Sequence, residues 1–373
     1  MTVLNIALLT YSTKPRGSVV HTLALAEALA AAGQNVTDTV NVTVWTLGRG
    51  GDSGFFRPVD PAVRQRVVDF PDGPPEESVG ERVLRSIAAM GTAFAPVAAE
   101  YDIVHAQDCI SANAVALSEV RCVRTVHHID HFTTPELAAC HERAITTPYA
   151  HVCVSASVAK ELVDGWGVKA EVIPNGVAYE RFATTDPAAR ERWKSRLGRY
   201  VLTVGGIEPR KGSLDLLDAY ALLRDQCPGT ALVIAGGETL FDYREYRAQW
   251  EARAAQLGVE PVVLGPVADD ELPALVAAAD AFAFPSVKEG FGLAAMEALA
   301  AGVPLVVRDL PVLREVFGPA ARYAADPVAL VDELGHALTE DSPERRSVGR
   351  ELAARHTWPA AAASHLAFYR SLG

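Results

Sequence analysis

Apolar runs of strand length recur along the chain, and most are separated by stretches in which apolar residues return every three or four positions. That alternation predicts the α/β class, with parallel sheets covered by helices on both faces. In the first half it places strands near 3–10, 42–47, 102–105, 122–127, 151–154 and 171–173, and helices near 19–32, 80–99, 136–146 and 156–164. A turn at Pro174-Asn175-Gly176 closes that half. From 178 to 199 the pattern gives way to polar text with Asp186-Pro187 and Arg190, Arg192, Lys194 and Arg196, which reads as a connection between domains rather than core. It restarts at Tyr200-Val-Leu-Thr-Val204, with later strands near 231–235, 261–264, 281–284, 304–307 and 321–323 and helices near 213–226, 242–257, 269–278, 292–301 and 327–338. The expectation is two doubly wound domains in tandem, with a cleft between them and ligands beyond the carboxyl ends of the strands.

A length of 373 residues suits two domains, and 49% hydrophobic residues suit a large buried core. The balance of 34 basic against 46 acidic residues, a net −12, repels nucleic acid and anionic lipid as a whole and leaves room only for a local basic pocket. Cys109, Cys122, Cys140, Cys153 and Cys227 are odd in number and form no C-x-x-C pair, so they signal neither a disulfide framework nor a thiolate zinc site, and a reducing cytoplasm is the expected setting. The apolar start from Met1 to Thr10 is too short to span a membrane and lacks the basic n-region of a secretory signal, so it reads as a first strand.

The strand-end segments carry the candidate chemistry. Glu289-Gly-Phe-Gly-Leu-Ala-Ala-Met-Glu297 follows an apolar strand and opens a helix. An all-helical offset of eight residues rises by about 12 Å, which suits two carboxylates gripping opposite ends of an extended ligand. The amides of Gly290, Phe291, Gly292 and Leu293 would bind an anion between them. The plainer alternative makes Glu289 a helix cap and Glu297 a solvent-facing residue. Val204-Gly-Gly-Ile-Glu-Pro-Arg-Lys-Gly-Ser213 puts Arg210 and Lys211 between a strand and a helix, a candidate phosphate site that has neither P-loop nor dinucleotide-fingerprint spacing. In the first half, Asp102-Ile-Val-His-Ala-Gln-Asp108 and Thr125-Val-His-His-Ile-Asp-His131 end strands in histidine. His127 and His131 have metal-like spacing, but no third ligand is placed, and His128, His131 and His141 read as satisfied or surface histidines. The loop Ser12-Thr-Lys-Pro-Arg-Gly-Ser18 either caps an anion or is a solvated loop.

Together these segments resemble the retaining glycosyltransferases of family 4, which have the GT-B architecture of two facing Rossmann-like domains. The resemblance runs in order through Gly17, Asp102-Ile-Val-His105, Thr125-Val-His127, Val154-Ser155, Val172-Ile-Pro-Asn-Gly-Val177, Pro209-Arg-Lys-Gly212, Ile234-Ala-Gly-Gly237, Leu264-Gly265, Pro285-Ser286, the E-x7-E pair Glu289 and Glu297, and Ala301-Gly-Val-Pro304. It implies transfer of a sugar from a nucleotide diphosphate sugar, with retained anomeric configuration and no metal or other cofactor. An acceptor-side domain would span 1–180 and be joined by a last helix within 356–373, and a donor-side domain would span 181–355. By the same resemblance Glu297 binds the ribose, Glu289 contacts the donor sugar, Lys211 neutralises the leaving diphosphate and His127 lies near the reacting centre. Fixed cations and amides would stabilise the charge growing on the departing oxygen.

Two positions depart from the family pattern. The arginine expected five residues before Lys211 is Gly206, and the first loop keeps only Gly17 of a glycine pair, after Arg16; Arg210 or Arg16 is expected to replace the missing cation. Two other readings share the architecture: a nucleotide-sugar epimerase, and a nucleotide-binding protein without transfer activity. A small or lipid-linked acceptor is expected, without nucleic acid or stable membrane insertion.

Overall fold

The computed structural model describes residues 3–33, 39–236, 243–340 and 342–372. Gly237 of the Ile234–Gly237 segment and residue 242, where a helix was expected to begin, lie outside them. The chain divides into two compact units, one formed by 1–176 with 358–373 and the other by 177–357.

The first unit carries strands β1 (Val3–Leu9), β2 (Thr39–Arg49), β3 (Val63–Phe70), β4 (Ile103–Ala106), β5 (Val123–Val126), β6 (Ala150–Cys153) and β7 (Glu171–Val172). All pair in parallel in the order β3-β2-β1-β4-β5-β6-β7. Its helices are α1 (Gly17–Gly33), α2 (Val79–Phe94), α3 (Cys109–Val115), α4 (Pro135–Thr146) and α5 (Ala156–Trp166). In the second unit α6 (Tyr179–Ala183) and α7 (Pro187–Leu197) precede β8 (Arg199–Val204), β9 (Thr230–Ala235), β10 (Val262–Gly265), β11 (Ala281–Phe284), β12 (Leu305–Arg308) and β13 (Arg322–Ala324). These also pair in parallel, in the order β10-β9-β8-β11-β12-β13. The crossovers are α8 (Ser213–Gln226), α9 (Arg244–Leu257), α10 (Leu272–Ala278), α11 (Leu293–Ala300), α12 (Pro311–Phe317) and α13 (Pro327–Thr339), followed by α14 (Pro343–Arg355). The last helix, α15 (Trp358–Ser371), belongs to the first unit.

Both sheets are doubly wound, and strand order reverses between β1 and β4 in one and between β8 and β11 in the other. A reversal leaves the loops at the carboxyl ends of the two flanking strands without a covering crossover, and there such sheets bind ligands. Apolar layers fix each sheet: Leu9, Trp45, Phe94 and Val104 pack in the first unit, and Val201, Leu217, Trp250 and Val306 in the second.

The structure corrects the sequence reading where helices and strands lack an apolar stripe. The stretch 178–199 is not an irregular connection: α6 and α7 are helical and lie in the second unit. No residue of α7 is buried. It is held by polar contacts instead, with Trp193 Nε1 donating to Glu271 at 2.9 Å and Lys194 Nζ 2.6 Å from Asp280. Strand β3 was not anticipated, because only its ends, Val63 and Phe70, are buried. Helix α14 buries only Gly349 and Ala353, and α3 and α12 are seven residues each, too short to declare a period. The helix expected over 80–99 ends at Phe94, and a 3₁₀ turn over Ala95–Glu100 follows at Pro96.

Candidate functional site

In the second unit the chemistry gathers at the strand-order reversal. Strand β8 is followed by Gly205, whose φ of 148° and amide bond to Ala235 O at 2.8 Å turn the chain beside β9. A 3₁₀ turn over Pro209–Lys211 then leads to Gly212, the residue before α8. Gly212 has φ +64°, and a Cβ there would lie 2.3 Å from Pro285 O, so only glycine lets this turn press against the end of β11. Arg308, at the end of β12, clamps the same point: its Nε lies 3.3 Å from Pro285 O, its Nη1 3.3 Å from Ala325 O, and its Nη2 pairs with Asp215.

The clamp presents Arg210 and Lys211 to one carboxylate. Glu289 Oε1 accepts from Arg210 Nη1 at 2.9 Å and from Lys211 Nζ at 2.5 Å. Arg210 Nη1 also reaches Lys288 O at 3.3 Å. Burial pushes the Lys211 ammonium below its usual pKa, against the pull of Glu289, and Nζ lies 5.0 Å from the Phe284 ring centroid. Lys211, Gly205, Gly206, Phe284 and Ser286 line one pocket, and the hydroxyl of Ser286 is buried without a hydrogen-bond partner.

Helix α11 begins beside Glu289 at Leu293, after Gly292 in a left-handed conformation, and no side chain caps it. Gly290 and Phe291 are buried within this turn. The segment from Glu289 to Gly292 is therefore not helical, and the eight-residue offset is not one helical rise. Glu297 is on the half-buried side of α11, not facing solvent. Burial drives its carboxyl up to about 7, with Arg181 pulling it down and Asp269 pushing it up. Arg181, from α6, pairs with Asp269 at 2.9 Å.

In the first unit Gly17 opens α1, and a Cβ there would meet no atom within 4 Å. The preceding loop is partly built in: Ser12 and Thr13 are buried, and Lys14 pairs with Asp52 at 2.8 Å. Arg49, at the end of β2, donates to Tyr11 O at 3.2 Å and to Ser86 Oγ at 3.1 Å. Burial lowers its guanidinium to about 10, and Arg16 and Arg82 add to that. His127 follows β5 half-buried; burial holds its imidazole well below the usual value, and His21 and Arg124 reinforce the effect. His128 Nε2 lies 2.8 Å from Asp130, His131 is exposed, and His141 stacks edge-on against Phe132 at 5.3 Å. Among the described residues no group of three or more His, Cys, Asp or Glu could hold a metal ion.

Sequence reasoning thus names Arg210, Lys211 and Glu289, which the fold brings together. It misses Arg308, Arg181 and Arg49. For Arg308 and Arg49 the signal was a charged residue closing a strand, as in Leu305-Val-Val-Arg308, whereas Arg181, within α6, gave none.

Known proteins resemble the chain in sequence and in fold. Residues 15–181 match the profile described as Glycosyltransferase Family 4, and residues 188–352 match that of Glycosyl transferases group 1. The chain belongs to glycosyltransferase family 4. This glycosyltransferase is 27% identical over 381 residues to a phosphatidyl-myo-inositol mannosyltransferase of Mycobacterium leprae, covering 96% of this chain and 94% of the relative. It is 28% identical to a D-inositol 3-phosphate glycosyltransferase of Salinispora tropica, over 91% and 77% of the two chains. Among solved structures, a sucrose-phosphate synthase from Thermosynechococcus elongatus superposes with a TM-score of 0.80 at 20% identity, over 99% of both chains. Anabaena HepE in complex with UDP and glucose gives 0.74 at 20%, over 99% of this chain and 100% of that one. The fold is GT-B, and the activity is transfer of a sugar to an acceptor. No helix among the described residues is long and apolar enough to cross a membrane.

Proposed function

We propose that the unit spanning 177–357 binds a nucleotide diphosphate sugar and that the unit built from 1–176 and 358–373 binds the acceptor, the sugar passing across with retained configuration in the cytoplasm. The observation that carries this reading is the convergence of Arg210 and Lys211 on Glu289 beside the uncapped start of α11. A diphosphate competes with Glu289 for both cations. Once it takes them, the carboxylate is released toward the donor sugar, and the amides from Gly290 to Leu293 add fixed dipoles where charge grows. This set supplies the electrostatic stabilisation without a metal. Arg210, bonded to the same carboxylate as Lys211, takes the place of the arginine that Gly206 lacks. Glu297 accepts hydrogen bonds from the ribose hydroxyls, and His127 lines the reacting centre.

An acceptor bearing a negative charge fits Arg49. Among the described residues no carboxylate lies within ion-pair distance of it, and it sits at the carboxyl end of β2. The relatives named for inositol 3-phosphate and phosphatidyl-inositol point the same way.

A thermal-shift panel of UDP, GDP, ADP and NAD tests the donor side, with UDP first because HepE was described with it. A nucleotide at a hundred times its Kd stabilises by about 2.7 kcal/mol. One diphosphate is expected to respond, and Glu297→Ala to abolish the response. If no diphosphate stabilises the chain, the nucleotide site is wrong.

A further inference from the structure

Helix α1 buries an imidazole where an aliphatic side chain would pack. His21 is 1% exposed among Val19, Thr22, Leu23 and Leu25. Burial brings its pKa down to about 3, so the ring is neutral. Buried polar groups ordinarily find hydrogen-bond partners, so this one requires a reason. Its Nδ1 lies 2.9 Å from Asn175 Oδ1. An amide oxygen only accepts, so the proton is on Nδ1 and the lone pair on Nε2, which has no partner. The ring meets that of His127 edge-on, centroids 4.7 Å apart and planes at 78°. It also meets the Trp358 ring edge-on, centroids 5.4 Å apart and planes at 76°. Asn175 is 4% exposed in the Pro174-Asn175-Gly176 turn, so one side chain links that turn to His127.

His105 is a useful contrast. Its two nitrogens reach Tyr369 Oη and Thr125 Oγ1, both at 2.7 Å, which makes it a saturated strut within the unit. His21 spends one nitrogen on Asn175 and offers the rest of its ring to His127. It is anchored on α1, bonded to Asn175 and in contact with Trp358, while His127 stands on a loop just past the end of β5. A ring on a loop swings more freely than one on a helix, and a misplacement of about 1 Å at a reacting group can cost a hundredfold in rate.

We propose that His21, held by Asn175, is a positioning residue that fixes the ring plane of His127 for sugar transfer. The inference rests on the role of His127 given above, and the test separates the two. The assay is transfer of sugar to water by the full chain, from the nucleotide sugar matching the diphosphate that the thermal panel selects. His21→Leu keeps an apolar filler in α1 and is expected to lower kcat by about tenfold to a hundredfold, with the donor KM unchanged within about twofold. Asn175→Ser is expected to lower kcat in the same way, and it tests the same link should His21→Leu not fold. In a His127→Ala background His21→Leu is expected to cost nothing further, because residues acting through one another are not additive, whereas a merely structural loss would persist. A kcat for both His21→Leu and Asn175→Ser within about twofold of wild type overturns the proposal, as does an undiminished loss in the His127→Ala background. Wild-type turnover by His127→Ala would instead remove His127 from the reaction, and the proposal with it.

Discussion

Glu297 is an acid kept near neutrality by burial, and that gives it a pH signature. A carboxyl raised to about 7 in the folded chain, against an ordinary value of 4.5, binds its proton more tightly when folded. Its contribution to stability is therefore present at low pH and is lost as pH rises from about 4.5 through about 7. Glu297→Gln should remove that slope, stabilising the chain at pH 8 by on the order of 2 kcal/mol, as read by denaturant unfolding at several pH values. If the ionised form receives the ribose hydroxyls, nucleotide affinity should climb across the same interval in the wild type and stay flat in Glu297→Gln, as read by calorimetry. Lys211→Ala should cut turnover by about a hundredfold, the usual effect of losing one donor to a developing oxyanion, with a smaller loss for Arg210→Ala. Equal losses in the two would break the ranking. Glu289, Glu297, Arg210 and Lys211 stood out as candidates because ordered glycines and charges at strand ends are local text, and the fold brings Arg210, Lys211 and Glu289 together. The burial of Glu297 was not legible, since α6, α10 and α14, separate from α11 in sequence, pack against that helix, and the charges of Arg181 and Asp269 reach the carboxyl only through the fold.

The turn between β8 and α8 is shaped by close approaches as well as by its charges. Gly212→Ala places a methyl 2.3 Å from a backbone carbonyl at a left-handed φ. It should destabilise the second unit by at least ~1–3 kcal/mol and lower donor affinity with it, as followed by thermal melting with and without nucleotide. Gly236 is equally confined, since a Cβ there would lie 2.1 Å from Gly205 O. Arg308→Leu, which leaves Asp215 without its partner, should loosen the same turn and lower kcat more than it raises the KM for donor. Unchanged kinetics would make Arg308 a structural strut only. Strands and crossover helices with a continuous apolar face were readable in advance. Helix α7 and strand β3 were not, because polar contacts and edge pairing, rather than a hydrophobic period, hold them in place.

At the scale of the molecule, each unit is a sheet with its own core, yet only one is continuous in sequence. Helix α15 returns to the first unit and supplies Trp358, His365 and Tyr369, with Tyr369 bonded to His105. A chain ended after Thr357 should therefore lose cooperative melting of the first unit in calorimetry while keeping that of the second; two intact transitions would contradict this. The two chain passages between the units run side by side, since Val177 and Thr357 form a parallel bridge and the Val177 amide donates to His356 O at 2.8 Å. In topological terms, residues 177–357 are a guest spliced into a host, and the entry and exit points of the splice are neighbours. A guest so placed can be lifted out. A short linker from Gly176 to Trp358 should close the host into a self-sufficient domain; under the division of labour proposed above, grafting residues 177–357 into a related host should carry the donor preference with it and leave the acceptor preference behind.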